Sequence, residues 1–217
     1  MLFRTLSRMR VLMTIFLTML VAGCSMWPFG HRAVPADPIA LAEALRAGGY
    51  VLYLRHADTQ WLHRDAKPVV LDDCATQRNL SGRGREQAHE IGAGLSRLLI
   101  PVGEVRSSPY CRCAETARLA FDRVLLDADL TTLSDASDAS RVERTAALRR
   151  LLATAPAPGT NTVLVAHSDN LEAVGGPALE EGEVAVVKPL PDGGFQVISL
   201  VSADAWGGMP IPPAGNG

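Results

Sequence analysis

The chain has 217 residues, 47% of them hydrophobic, enough to bury one good core and too few for a large multidomain assembly. Its formal charge of -2 excludes the broadly basic surface of a nucleic-acid binder, so any anion site must come from a local cluster. No linker-like stretch divides the middle of the sequence, which argues for one domain.

The chain begins with a basic segment, MLFRTLSRMR, followed by VLMTIFLTMLVAG, an apolar run too short for a comfortable membrane span. The run closes on Leu20-Val21-Ala22-Gly23-Cys24, which resembles a bacterial lipobox: small residues before a cysteine that is acylated and becomes the new N-terminus. Residues 1–23 are therefore predicted to be a lipoprotein signal peptide and Cys24 the lipidated residue, with several acyl chains giving stable attachment to a membrane. Ser25, not an aspartate, follows the cysteine, which by the sorting rule for such proteins points to the outer membrane. The expected location is the bacterial cell envelope, facing the periplasm. Cleavage removes Arg4, Arg8 and Arg10, leaving 18 of the 21 basic residues against 23 acidic ones, or -5. Residues 24–36, broken by Pro and Gly, read as a tether.

Asp37-Pro38 offers an N-cap and a first-turn proline, and Leu41, Ala42 and Leu45 give a helix one apolar face before Gly48-Gly49 stops it. Tyr50 to Leu54 is a continuous apolar run, the mark of a buried central strand. Residues 57–78 lack a period and are predicted as a polar loop. Ser81 caps a helix carrying Ala88, Ile91, Leu95 and Leu98, which Pro101 and Gly103 end. Glu104 to Ser107 reads as a strand, Ala114 to Phe121 as a helix, Arg123 to Asp127 as a strand and Val142 to Leu152 as a helix. Thr162 to Ala166 is the second strongly buried strand. Val184 to Val187 and Phe195 to Val201 form an antiparallel hairpin. The tail from residue 204 to 217 is expected to be disordered. The alternation implies a single three-layer α/β/α domain over residues 37–203, with a mostly parallel central sheet and a C-terminal hairpin.

Each strong strand ends in a histidine: Leu54-Arg55-His56 and Val165-Ala166-His167. Ligands of open α/β sheets bind at the carboxyl ends of the strands, so both histidines and Arg55 fall where a site belongs. A lone histidine at a strand end is ordinarily a satisfied structural residue; a pair on the two most buried strands is not. Of the cysteines left after Cys24, an exported compartment suggests one disulfide and one buried thiol. Cys111 and Cys113 are too close to pair easily, so Cys74 bridges to one of them. A zinc site would need a further Cys or His at ligand spacing, and no metal is expected.

Four motifs in order give the chain a resemblance to the histidine phosphatase superfamily, which includes the cofactor-dependent phosphoglycerate mutases. Leu54-Arg55-His56-Ala57 is similar to the family's strand into Arg-His-Gly, with alanine in the third place. Leu80-Ser81-Gly82-Arg83-Gly84-Arg85-Glu86-Gln87-Ala88 is similar to Leu-Thr/Ser-x-x-Gly-x-x-Gln-Ala. Ser107-Ser108-Pro109-Tyr110-Cys111-Arg112-Cys113-Ala114-Glu115-Thr116-Ala117 matches Ser-Ser-Pro-x-x-Arg-x-x-x-Thr-Ala throughout, and His167 follows an apolar strand. The likeness spans Gly49 to Val201. It implies a phosphoglycerate-mutase-like fold, no cofactor, and a phosphoryl group carried on His56. A neutral imidazole is a nucleophile near neutral pH, and a hydrogen bond from its other nitrogen to a carbonyl would fix the tautomer. Arg55, Arg112 and His167 would then hold the phosphoryl oxygens.

The group that protonates the leaving oxygen is harder to place. The family's glutamate lies in a loop about two dozen residues after the second arginine, where this chain reads Thr131-Thr132-Leu133-Ser134-Asp135-Ala136-Ser137-Asp138. Asp135 is the nearest carboxylate; Glu172 and Asp58 are its rivals. Arg78, Arg83 and Arg85 are read as solvated helix-end charges that could widen the positive rim. The expected function is a phosphomonoesterase acting on a small phosphorylated substrate or a phosphoprotein in the envelope, working as a monomer with no nucleic-acid partner. A non-catalytic phosphate-binding or signalling module of the same fold is the alternative, with a phosphomutase behind it and a purely structural lipoprotein last.

Overall fold

In a computed structural model describing residues 37–134 and 136–213, the first element is α1 (Pro38–Ala47), with Asp37 accepting from Ala40 N as predicted for its N-cap. The signal peptide, Cys24, the tether, Asp135 and residues 214–217 lie outside the described residues. Gly48 turns the chain with φ +80°, where a Cβ would meet the Thr160 backbone at 2.6 Å, and β1 (Val51–Arg55) follows. After the loop come α2 (Gly82–Arg97), β2 (Val102–Ser107), α3 (Cys111–Phe121) and a two-residue edge strand β3 (Leu125–Leu126). Then follow α4 (Asp138–Ala153), β4 (Asn161–Ala166), α5 (Ser168–Ala173), β5 (Val184–Pro189), β6 (Phe195–Val201) and α6 (Ala205–Gly208).

The six strands form one sheet in the order β3-β2-β4-β1-β5-β6. The β3–β2, β2–β4 and β4–β1 pairs are parallel, and β5 joins β1 antiparallel, so the predicted hairpin extends the main sheet. Residue alternation assigns the two faces. Leu52 and Leu54 of β1 pack with α1, α2, α3 and α6, while Val51 and Tyr53 face Leu148 and Leu152 of α4 and Leu171 of α5. This is the three-layer arrangement expected.

Three expectations need correction. Gly103 does not terminate a helix; it lies inside β2, where a Cβ would stand 2.7 Å from Thr160 Oγ1 and where the register to β4 shifts between Val102 and Val105. The strand predicted over Arg123 to Asp127 shrinks to Leu125–Leu126, both exposed, at the sheet edge. Residues 204–213 of the supposedly disordered tail are ordered, because Trp206 is fully buried in the core beside Met209. Arg97 fastens this stretch by donating to Trp206 O and Met209 O.

Candidate active site

β1 and β4 are adjacent and parallel, with Arg55 opposite Ala166, so their carboxyl ends deliver His56 and His167 to one place. His56 N donates to Ala166 O at 3.0 Å, and the two rings stand edge to face with centroids 5.5 Å apart. Both are buried. With Arg55, Asp65, Arg78, Arg112, Thr132, Ser134, Ser168, Asp169, Glu172 and Glu180 among its other walls, the cleft encloses about 450 Å³.

His56 Nδ1 lies 2.9 Å from Ala57 O, an acceptor only, so Nδ1 carries the hydrogen and Nε2 holds the lone pair. That is the fixed tautomer anticipated from the family. Burial first, then the neighbouring Arg112 guanidinium, hold the His56 pKa well below the usual imidazole value, against the pull of the Ala57 carbonyl. His167 is lowered too, by burial and then by His56, Arg112, Arg55 and Arg78. Both rings are therefore neutral near pH 7. Tyr53 Oη pins the His167 backbone by donating to its carbonyl at 2.8 Å, and burial pushes the Tyr53 hydroxyl up.

The motifs around these residues are braces. α3 presents Arg112 in its first turn, and Thr116 Oγ1 ties that turn to the residue after His56 by donating to Arg112 O and accepting from Ala57 N. Arg112 is 4% exposed; its Nη1 donates to both oxygens of Asp65 at 3.0 and 3.3 Å, its guanidinium lies over the Tyr110 ring at 4.4 Å, and its buried Nε lacks a partner. Arg55 donates to Leu179 O and pairs with Glu181 at 3.4 Å, which also meets Arg78 at 3.5 Å. Two acids thus orient three arginines and leave donors facing the cleft, a suitable cradle for a tetrahedral anion. Among the described residues no cluster of His, Cys, Asp and Glu could hold a metal ion.

The structure brings Arg55, His56, Arg112 and His167 together as the sequence suggested. It adds Asp65, Arg78 and Glu181, which sequence reasoning missed or assigned to solvent. Arg78 lines the cleft, whereas Arg83 and Arg85 are exposed, with Arg85 paired to Glu115. Glu172 is an exposed carboxylate on the cleft wall, taking a hydrogen bond from Ser168 Oγ at 2.6 Å. Asp58 is not among the residues lining the cleft; its carboxylate accepts from Ser81 Oγ beside the α2 cap. Asp169 does line it, but Thr132 Oγ1, Leu133 N and Ser134 Oγ all donate to its Oδ2, which makes it the anchor of the 132–134 loop.

Cys74 pairs with Cys111, tying the 57–78 loop to the start of α3 one residue before Arg112, and Cys113 is the buried thiol. Burial raises that thiol to about 12, so it is an unreactive neighbour of the site.

The sequence model of the histidine phosphatase superfamily (branch 1) matches residues 51–133. No curated protein matches the chain. Among solved structures, the protein histidine phosphatase SixA complexed with tungstate aligns with a TM-score of 0.53 at 16% identity, over 72% of this chain and 98% of its own. The mycobacterial glucosyl-3-phosphoglycerate phosphatase complexed with VO3 aligns with a TM-score of 0.53 at 18% identity, over 71% of this chain and 100% of its own. A phosphoserine phosphatase mutant from Entamoeba histolytica, bound to phosphoserine, gives 0.50 at 16%, over 71% and 97%. At these identities the structures speak for the fold, and the matched stretch carries the first three motifs. Residues 51–133 thus carry the sequence pattern of the histidine phosphatase superfamily (branch 1), and the described domain shares the fold of these phosphatase structures.

Proposed function

We propose that this chain is a phosphomonoesterase that forms a phosphohistidine on His56 and hydrolyses it without a metal. The observation that carries this reading is the His56 tautomer, which turns the Nε2 lone pair away from Ala57 O while His56 lines a cleft walled by Arg55, Arg78 and Arg112. In the first step the Nε2–P bond forms and the P–O bond to the leaving group breaks, with a proton passing to the leaving oxygen. In the second, water attacks phosphorus, the P–N bond breaks and the proton returns to the acid. The arginines and His167 neutralise charge on the phosphoryl oxygens in both steps.

The proton donor is assigned to one of two carboxylates, Asp135 or Glu172. Asp135 is favoured by its neighbour Ser134, which lines the cleft, and Glu172 by its own position on the wall. The three neighbours are named for phosphohistidine, a phosphorylated sugar derivative and phosphoserine, so the substrate class is a small phosphate ester or a phosphoprotein. An envelope location, with a lipid on Cys24, is supported by the lipobox-like sequence and by the Cys74–Cys111 disulfide, which suits an oxidising compartment.

The test is hydrolysis of an aryl phosphate by the full chain with a chelator present. Turnover should survive chelation, and His56→Ala should lose at least about a thousandfold. The variant of the true acid, Asp135→Asn or Glu172→Gln, should be slowed far more on an alkyl phosphate than on an aryl phosphate, whose leaving group needs little protonation. Vanadate binding with no turnover at any pH would overturn the reading in favour of a phosphate-binding module.

A further inference from the structure

Two neutral histidines share this cleft, and only one can be the nucleophile. What separates them is which ring nitrogen each turns to the phosphoryl group. His56 shows a bare Nε2, as set by Ala57 O. For His167 the deciding partner is Ser108, a fully buried residue of the Ser-Ser-Pro motif.

Ser108 Oγ lies 3.1 Å from His167 Nε2 and 3.3 Å from Tyr110 N. The backbone N–H can only donate, so it occupies an acceptor position on the hydroxyl. The hydroxyl hydrogen then needs an acceptor, and of its two neighbours the His167 Nε2 is a strong one while the Cys113 sulfur is a weak one. Were Nε2 protonated instead, the buried O–H would have to exchange a good nitrogen acceptor for the Cys113 sulfur, a poor one. Cys113 Sγ, 3.6 Å from the same nitrogen, has Ala166 O to donate to at 3.7 Å. Tyr110 stands edge-on to the imidazole with centroids 5.2 Å apart, and the Tyr53 bond to the carbonyl holds the backbone, so the ring is fenced on its inner side. Its Nδ1 has no protein partner among the described residues, and His167 lines the cleft.

We propose that Ser108 is a positioning residue that donates to His167 Nε2, fixing His167 as an Nδ1–H donor toward the phosphoryl oxygens and leaving His56 as the one imidazole that turns a bare nitrogen to the cleft. The inference rests on the phosphoryl-transfer reading for its purpose, though the tautomer itself does not depend on turnover. Burial and the surrounding arginines keep His167 neutral, so it is this hydrogen bond, not protonation, that decides which nitrogen carries the hydrogen. A bare nitrogen at that place would turn a lone pair on an anionic oxygen.

The test uses the full chain labelled with 15N-histidine, in long-range proton–nitrogen spectra near neutral pH, free and with vanadate. The resting His167 should show a protonated Nδ1 and a bare Nε2, unchanged when vanadate binds. Ser108→Ala should shift the hydrogen to Nε2 and lower turnover about 10- to 100-fold, the range seen when an outer partner that orients a histidine is removed. Ser108→Thr, which keeps the hydroxyl, should retain the wild-type tautomer and most of the rate. A hydrogen on Nε2 in the wild-type protein, or an unchanged His167 tautomer in Ser108→Ala, overturns the proposal. Because the spectra are recorded on resting protein, they decide the tautomer even if the His56→Ala assay rejects phosphatase activity, and Ser108→Thr decides it if Ser108→Ala does not fold.

Discussion

Asp65 sits against Arg112, the arginine proposed to hold a substrate phosphate, which sets two effects against each other. Its carboxylate clamps Arg112 Nη1 with both oxygens and also accepts from Arg78 N, while remaining 27% exposed. Removing its charge takes a negative group away from an anion site, worth on the order of 1 kcal/mol at a partly solvated position. Removing one clamp oxygen loosens the geometry that the transition state needs. Asp65→Asn should therefore bind vanadate several-fold more tightly yet turn over more slowly, as titration and initial rates would show. Weaker vanadate binding would mean that Asp65 acts chiefly as a tether. No sequence signal could have chosen it: Asp58, Asp65, Asp72 and Asp73 share one aperiodic loop, and which of them turns inward is decided by where Arg112 arrives from α3. The histidines and arginines were legible because each sits at a strand end or in a helix's first turn, where a short motif fixes the direction of the side chain.

The start of α2 shows a motif whose work is mechanical. Leu80 is fully buried, Ser81 caps the helix through Gly84 N, and Gln87 accepts from Asp58 N while donating to Glu181 O. Gly84 presses on the chain just past His56: a Cβ there would lie 2.0 Å from Asp58 O. Backbone cannot yield as a flexible side chain can, so Gly84→Ala must displace either the helix or residues 57–58. It should cost about 1–3 kcal/mol by denaturant titration and lower the rate as well. Full stability with full activity would show that the helix slides freely. The elements with strong periodicity, α1, α2, β1, β4 and the hairpin, were readable from the sequence. Those set by tertiary contact were not: α5 is a six-residue helix after His167, and α6 is held by one buried tryptophan in a stretch rich in Gly and Pro.

Over the whole molecule, the Cys74–Cys111 bridge is the covalent link between the site's loop and its frame, closing a loop across 37 positions of sequence. Loop-closure entropy assigns such a link about 4 kcal/mol in the unfolded state. Cys74→Ser should lower unfolding stability by about 2–4 kcal/mol and leave the fold intact, measurable by denaturant titration beside the reduced wild type. No change in midpoint would mean that packing alone secures the loop. The sequence left open whether Cys111 or Cys113 was the partner; helical geometry resolves it, since two positions along α3 turn Cys113 into the core and Cys111 outward. The parallel pairing of β1 with β4 has a kinetic consequence. Tyr53 and His167 are 114 residues apart, so the two histidines meet only after a loop of that length has closed. A chain with every helix formed but that pair unzipped would hold no anion, and the return of vanadate binding on refolding would time the central zipper of the sheet.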